Sequence, residues 1–182
     1  MITGKFTGLR SVEKEDLSIL RDWRNQVEFR KNFREVRELN LSNQEKWFER
    51  SCINNPNDFM FIIVDDNKVP IGAGGLLYIN WIIRSADFSF YIGKNNFYID
   101  EEGYALDAAK LLIEYGFKTL NLHKIWMELY EFDNKKIDFF TEKFGFKKDG
   151  QLRDNCFEDG KYWDSYIFSL IKQDYLDSEI QE

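Results

Sequence analysis

Apolar and polar positions alternate along residues 86–92, read as Ala-Asp-Phe-Ser-Phe-Tyr-Ile. Ala86, Phe88, Phe90 and Ile92 share one face of a strand, and Asp87, Ser89 and Tyr91 share the other. From Gly103 the period changes. Ala105, Ala108, Ala109, Leu112 and Tyr115 recur at three and four residues, the stripe of one buried helix face, to about residue 117. Asp107, Lys110 and Glu114 fall on the opposite side, the last two spaced for a helical ion pair. Residues 120–134 read as a second strand ending at Asn134. A helix of about ten residues follows and closes at Phe144, Gly145 and Phe146.

The same reading covers the rest of the chain. Residues 6–10 form a first strand. Ser11 is placed to cap a helix over 12–24, with Glu13, Glu15 and Asp16 in its first turn and Leu17, Leu20 and Trp23 inward. Residues 26–40 carry charges of alternating sign and read as a short helix and a loop. Ser42 and Glu45 have capping-box spacing, which predicts a helix over 43–52 with Trp47 and Phe48 inside. Residues 59–64 and 70–80 read as a hairpin about Asp65, Asp66 and Asn67. Gly72, Gly74 and Gly75 mark a bulge or a close approach to that second strand. Residues 81–84 turn the chain back, and residues 147–155 and 161–171 make a final hairpin around Glu158, Asp159 and Gly160. The polar stretch 174–182 is expected to fray. Proline occurs only at Pro56 and Pro70, so one domain over 1–182 is expected.

Composition narrows the function classes. Of 182 residues, 17% are aromatic, enough to build much of a core from Phe, Tyr and Trp. No stretch reaches the ~18 apolar residues of a membrane span, and the first residues lack an apolar leader pattern. Cys52 and Cys156 lie far apart without metal-ligand spacing, as expected of free thiols in a cytoplasmic protein. A net charge of −7 argues against a nucleic-acid partner and suits a cationic substrate. His123, between a helix and a strand, reads as a structural or surface residue.

The segments Asp100-Glu101-Glu102-Gly103-Tyr104-Ala105 and Asn134 through Thr141-Glu142-Lys143-Phe144-Gly145-Phe146 give the chain its resemblance. In order and spacing they resemble the GNAT acyl-CoA N-acetyltransferases, in particular the RimJ/RimL-like branch. The triplet Trp23-Arg24-Asn25, the Asn80-Trp81 turn and the strand at Asp87 also resemble enzymes that acetylate nucleotide-linked amino sugars. The resemblance implies an α/β fold, a mixed, mostly antiparallel twisted sheet of about seven strands with helices on both faces. It implies acetyl-CoA as co-substrate and no metal. The acceptor would be a primary amine: a polyamine, an amino-sugar nucleotide or a protein N-terminus. The expected state is a monomer or homodimer.

By resemblance, Phe90, Tyr91 and Ile92 would hold the pantetheine arm through their backbone. Glu101, Glu102, Gly103, Tyr104 and Ala105 would carry the pyrophosphate at a helix N-terminus. Asn134 would bond the thioester region, a role compatible with capping the helix, for which Asp133 and Asn134 are both suited. Trp23, Arg24, Asn25, Trp47 and Trp81 would line the acceptor side. Lys94, Lys135, Lys136 and Lys143 are candidates for the 3′-phosphate.

An alkyl ammonium must lose a proton before it attacks a thioester, so a carboxylate at the site is needed, directly or through water. Asp87, an acid inside an apolar strand, is the candidate base; an exposed carboxylate or a partner for Arg84 is the structural alternative. Two departures from the family stand out. Asp100, Glu101 and Glu102 bring negative charge to the phosphate loop. The family's Tyr, which would protonate the leaving thiolate, aligns with Thr141, or with Phe140 after a slip of one residue; Tyr130 and Tyr104 are the other phenols at hand. These departures keep open a non-catalytic acyl-CoA-binding module.

Overall fold

The computed structural model describes residues 1–100 and 102–179. Eight strands form one sheet: β1 (Ile2–Thr3), β2 (Thr7–Ser11), β3 (Phe59–Asp65), β4 (Pro70–Asn80), β5 (Ser85–Ile92), β6 (Lys124–Tyr130), β7 (Lys147–Glu158) and β8 (Lys161–Ile171). Their order is β1-β2-β3-β4-β5-β6-β8-β7. Every neighbouring pair is antiparallel except β5 and β6, which run parallel and pair only over Ser85–Asp87 and Lys124–Trp126. A parallel pair needs a crossover. Helix α4 (Tyr104–Glu114) supplies it. The sheet is thus mixed and mostly antiparallel, as expected, with one strand more than the seven expected: β1 is two residues long.

Both faces of β5 are buried. Phe88 and Phe90 pack edge-on against Phe140 of α5 (Asn134–Phe144). The opposite face carries Tyr91, whose ring meets Trp23 of α1 (Leu17–Arg24), Phe29 of α2 (Val27–Arg30) and Phe33. On α4 the Ala105, Ala108, Ala109 and Leu112 stripe is buried as its period requires. Tyr115, read as part of that stripe, instead sits half-exposed at the end, against Phe59 and Phe61. Asp107, on the opposite side, accepts hydrogen bonds from the backbone N–H of Lys5, Phe6 and Thr7 and from the Thr7 hydroxyl, tying the first strands to α4. The three strand glycines mark close approach rather than a ligand. A side chain at Gly72 would strike the Tyr91 carbonyl, and one at Gly75 would strike Met60 and the Phe59 carbonyl.

Helix starts differ from the sequence expectation. The first helical turn opens at Glu13, whose N–H donates to the Asp16 carboxylate, while Arg10 pairs with Asp16 at 2.7 Å. Ser11 therefore ends β2 instead of capping. Helix α3 (Leu41–Trp47) is closed by reciprocal bonds between Asn40 and Asn43, which leaves Ser42 inside the helix. Wider turns continue it over Phe48–Ile53. Residues 174–179, expected to fray, lie in helix α6 (Lys172–Glu179), because Tyr175 is buried and stacks on Phe117 at 5.1 Å.

Candidate functional site

Beyond Asp87 and Trp126 the β5 and β6 strands separate into a V. Asp87 is the last paired residue at its foot and is 6% exposed. Its carboxylate lies 3.0 Å from Arg34, whose guanidinium also reaches Glu128 of β6 at 3.0 Å. Glu128 further accepts from the Ser165 hydroxyl and the Asn155 amide. Burial raises the Asp87 pKa above the ordinary carboxylate value; Arg34 pulls it down but does not cancel the shift. From the sequence, Arg34 reads only as one of four cations, with Arg24, Arg30 and Lys31, that could supply a basic pocket for a nucleotide-sugar, and Glu128 is not singled out. Glu128 had a usable signal, since β6 alternates buried Ile125, Met127 and Leu129 with Trp126, Glu128 and Tyr130. Arg84, the partner weighed for Asp87, is exposed instead.

The upper walls of the V carry the backbone groups assigned to pantetheine. Ile92 exchanges two hydrogen bonds with Tyr98, and the Phe90 carbonyl accepts from the buried Lys136 ammonium at 2.8 Å. Tyr91 is wholly enclosed, and burial pushes its phenol up to about 12. Asp133 caps α5 by accepting from the Lys136 N–H, and it accepts the Tyr98 hydroxyl at 2.6 Å. Asn134 is exposed beside it and lines a cavity of about 350 Å³ with Phe29 and Tyr98. The backbone groups expected to hold pantetheine are therefore largely taken by the chain itself: Ile92 bridges to Tyr98, the Phe90 carbonyl is held by Lys136, and Tyr91 pairs with Ala73 of β4.

Thr141 is engaged within its own helix. Its hydroxyl donates to the carbonyls of Ile137 and Asp138 in its own helix, at 2.9 and 3.3 Å. Phe140, the slipped alternative, is fully buried. Tyr130 follows Glu128 on the same face of β6, interacts with the Arg34 charge, and has its pKa raised by burial.

At the start of α4, Gly103 takes a left-handed conformation (φ 103°) that few other residues tolerate. The N–H groups of Gly103, Tyr104 and Ala105 all point at the Asp100 carboxylate, at 2.7, 2.9 and 2.6 Å. The amides read as a pyrophosphate cradle do bind an oxyanion, but it is the chain's own. Glu102 is exposed and Glu101 lies outside the described residues. Among the candidate lysines, Lys136 is buried against Phe90, Lys94 faces Asp65 at 3.7 Å, Lys135 donates to the Phe97 carbonyl, and Lys143 is exposed.

On the Ser89 and Tyr91 face of β5, α1, α3 and the loop at 34–39 enclose a cavity of about 400 Å³. Arg24 and Trp47 line it, beside Leu77, the register partner of Asp87. Trp23 is buried beneath Tyr91 and Gly93. The Asn25 side chain bonds both backbone groups of Leu39 and so holds the loop in place. Trp81 stands apart: it is 47% exposed and donates to Asn57. Of the five residues read as acceptor-lining, two line the cavity, two support it, and Trp81 does neither.

Comparison with known proteins agrees with this architecture. Residues 7–147 match the family model described as an acetyltransferase (GNAT) domain. The spermidine N(1)-acetyltransferase of Vibrio cholerae is 27% identical over 92% of this chain and 94% of its own length. That of Escherichia coli is 28% identical over 92% and 87%. The crystal structure of the Vibrio cholerae enzyme in complex with CoA and spermine superposes with a TM-score of 0.84 at 27% identity, covering 93% of this chain and 98% of that one. The chain belongs to the GNAT acetyltransferases, N-acetylating enzymes that use acetyl-CoA.

Proposed function

We propose that this chain transfers the acetyl group of acetyl-CoA to a primary amine by direct attack, with Asp87 as the proton acceptor. The observation that carries the proposal is the position of Asp87: a buried carboxylate with a raised pKa at the foot of the V. Acetyl-CoA supplies the thioester, whose C–S bond breaks as the C–N bond forms. An alkyl ammonium with a pKa near ~10 is a poor nucleophile at neutral pH. Asp87 takes its proton, and raising the carboxylate pKa brings it nearer to the working pH and makes it a better base. An Asp side chain is short, so a bridging water suits the transfer. Arg34 lies over both Asp87 and Glu128, and the incoming amine takes over one of these contacts. The leaving thiolate is reprotonated by water or by the Tyr130 phenol.

The likeness to spermidine acetyltransferases supports an amine acceptor and lends weight to the polyamine among the acceptors considered, beside amino sugars and peptide N-termini. The test is release of free thiol from acetyl-CoA in the presence of spermidine, amino sugars, their phosphorylated and nucleotide-linked forms, and short peptides. Amine-dependent release is expected for at least one class. Tight binding of acetyl-CoA with no release across the panel would overturn the proposal.

A further inference from the structure

The chain is acidic overall, with a net charge of −7, yet its acceptor-side cavity is basic. Arg24 projects from the end of α1 and lies 3.9 Å from the Phe33 ring centre. Its Nε is buried without a hydrogen-bond partner, and the guanidinium makes no ion pair among the described residues. Burial lowers its pKa, and the Glu35 charge pulls the other way without cancelling that shift, the mark of a cation only partly compensated. The one carboxylate lining the cavity is Glu35. Arg37 already grips it through two bonds of 2.8 and 2.6 Å and holds its pKa down to about 2. Lys46 and Arg50, on the α3 wall, also lack an ion pair. Three cations therefore face about 400 Å³ of open volume beside one self-neutralised pair.

Such a guanidinium is costly in the free protein and rewards an anionic ligand. The cavity reaches Ser89, two residues along β5 from Asp87, a separation of about 7 Å. One small molecule can therefore place an amine at Asp87 and an oxyanion at Arg24. A polyamine would bring like charge to Arg24, Lys46 and Arg50. We propose that this cavity is an oxyanion subsite, so that the amine acetylated by this chain also carries a phosphate or carboxylate group. The proposal rests on the acetyl-transfer reading above and adds the class of acceptor.

The test uses matched amines that differ in one anionic group: glucosamine against glucosamine 6-phosphate for the phosphate arm, and tyramine against tyrosine for the carboxylate arm. Spermidine serves as the polycation. Binding is measured by titration calorimetry on the full chain without acetyl-CoA, for the wild type, Arg24→Gln and Arg50→Gln. In at least one arm the anionic member is expected to bind about tenfold tighter than its partner without the anionic group and than spermidine, with most of that preference lost in both variants. Arg50 is exposed, so its variant keeps the test open should Arg24→Gln misfold. Spermidine or the members without the anionic group binding as tightly as the anionic ones would overturn the subsite, as would a preference that survives both variants or no binding by either anionic member. Thiol release, measured separately, keeps the two proposals apart. An anionic amine that binds but is never acetylated sinks the transfer reading and leaves the subsite. Spermidine acetylated in preference to every anionic amine does the reverse.

Discussion

A guanidinium stands between two carboxylates at the foot of the V, with Arg34 bonded to Asp87 and Glu128 at 3.0 Å each. Two opposing effects set the proton affinity of Asp87. Burial raises it, and the Arg34 charge and hydrogen bond lower it. Arg34→Gln removes the lowering effect and leaves the burial. The acid limb of kcat/KM against pH is therefore expected to move to higher pH in this variant, because the ionised base is then lost earlier as pH falls. A pH–rate profile of the variant checks this; an unmoved limb would show that Arg34 does not act on the base. Asp87 was legible in the sequence because an acid inside an apolar strand is conspicuous. Arg34 was not. It is one of seven charged residues in a stretch without periodicity, Glu28, Arg30, Lys31, Arg34, Glu35, Arg37 and Glu38, and only the fold selects it.

The start of α4 combines an anion-binding geometry with an occupant from the same chain. Three backbone N–H groups converge on Asp100, and the helix dipole adds to their pull. Any phosphate of acetyl-CoA that uses these amides competes with that carboxylate. Asn caps a helix about as well as Asp but carries no charge. Asp100→Asn keeps one acceptor oxygen and loses the other, so it is expected to cost about 1 kcal/mol of stability while tightening acetyl-CoA binding about two- to fivefold. Calorimetric titration of both proteins with acetyl-CoA checks it; weaker binding in the variant would mean that Asp100 helps to build the site. Elements with strong periodicity, β5 and α4 above all, were readable from the sequence. Their ends were less so. Ser11 and Ser42 carry capping chemistry, but Glu13 with Asp16 and Asn40 with Asn43 lie within two residues and have it too; backbone entry angle decides between them. The terminal helix α6 was missed because a single ring, Tyr175 on Phe117, docks an otherwise polar segment.

The whole molecule is organised by its one parallel pair. Where β5 and β6 separate, α4 and α5 cover one face of the sheet and the cavity of about 400 Å³ under α1 and α3 lies on the other. The order of elements carried this fold in the sequence, and the GNAT domain match over residues 7–147 agrees with it. Net charge does not locate charge: the chain is acidic overall, while the cavity on the Ser89 and Tyr91 face of β5 is lined by Arg24, Lys46 and Arg50. Charge totals carry no position, and the residues of that cavity come from α1, α3 and a loop that only tertiary structure brings together. Among the described residues no helix is long and apolar enough to cross a membrane.

The central claim is that Asp87 is the base. The most direct measurement is the pH dependence of kcat/KM for the wild type and Asp87→Asn, using whichever acceptor gives thiol release. The wild type is expected to lose activity as pH falls through a value above the ordinary aspartate 3.8, since burial raises this carboxylate. The variant is expected to be about a hundredfold slower, to lack that acid limb, and still to bind acetyl-CoA. An Asp87→Asn enzyme that keeps both its rate and its acid limb would contradict the account and move the base elsewhere.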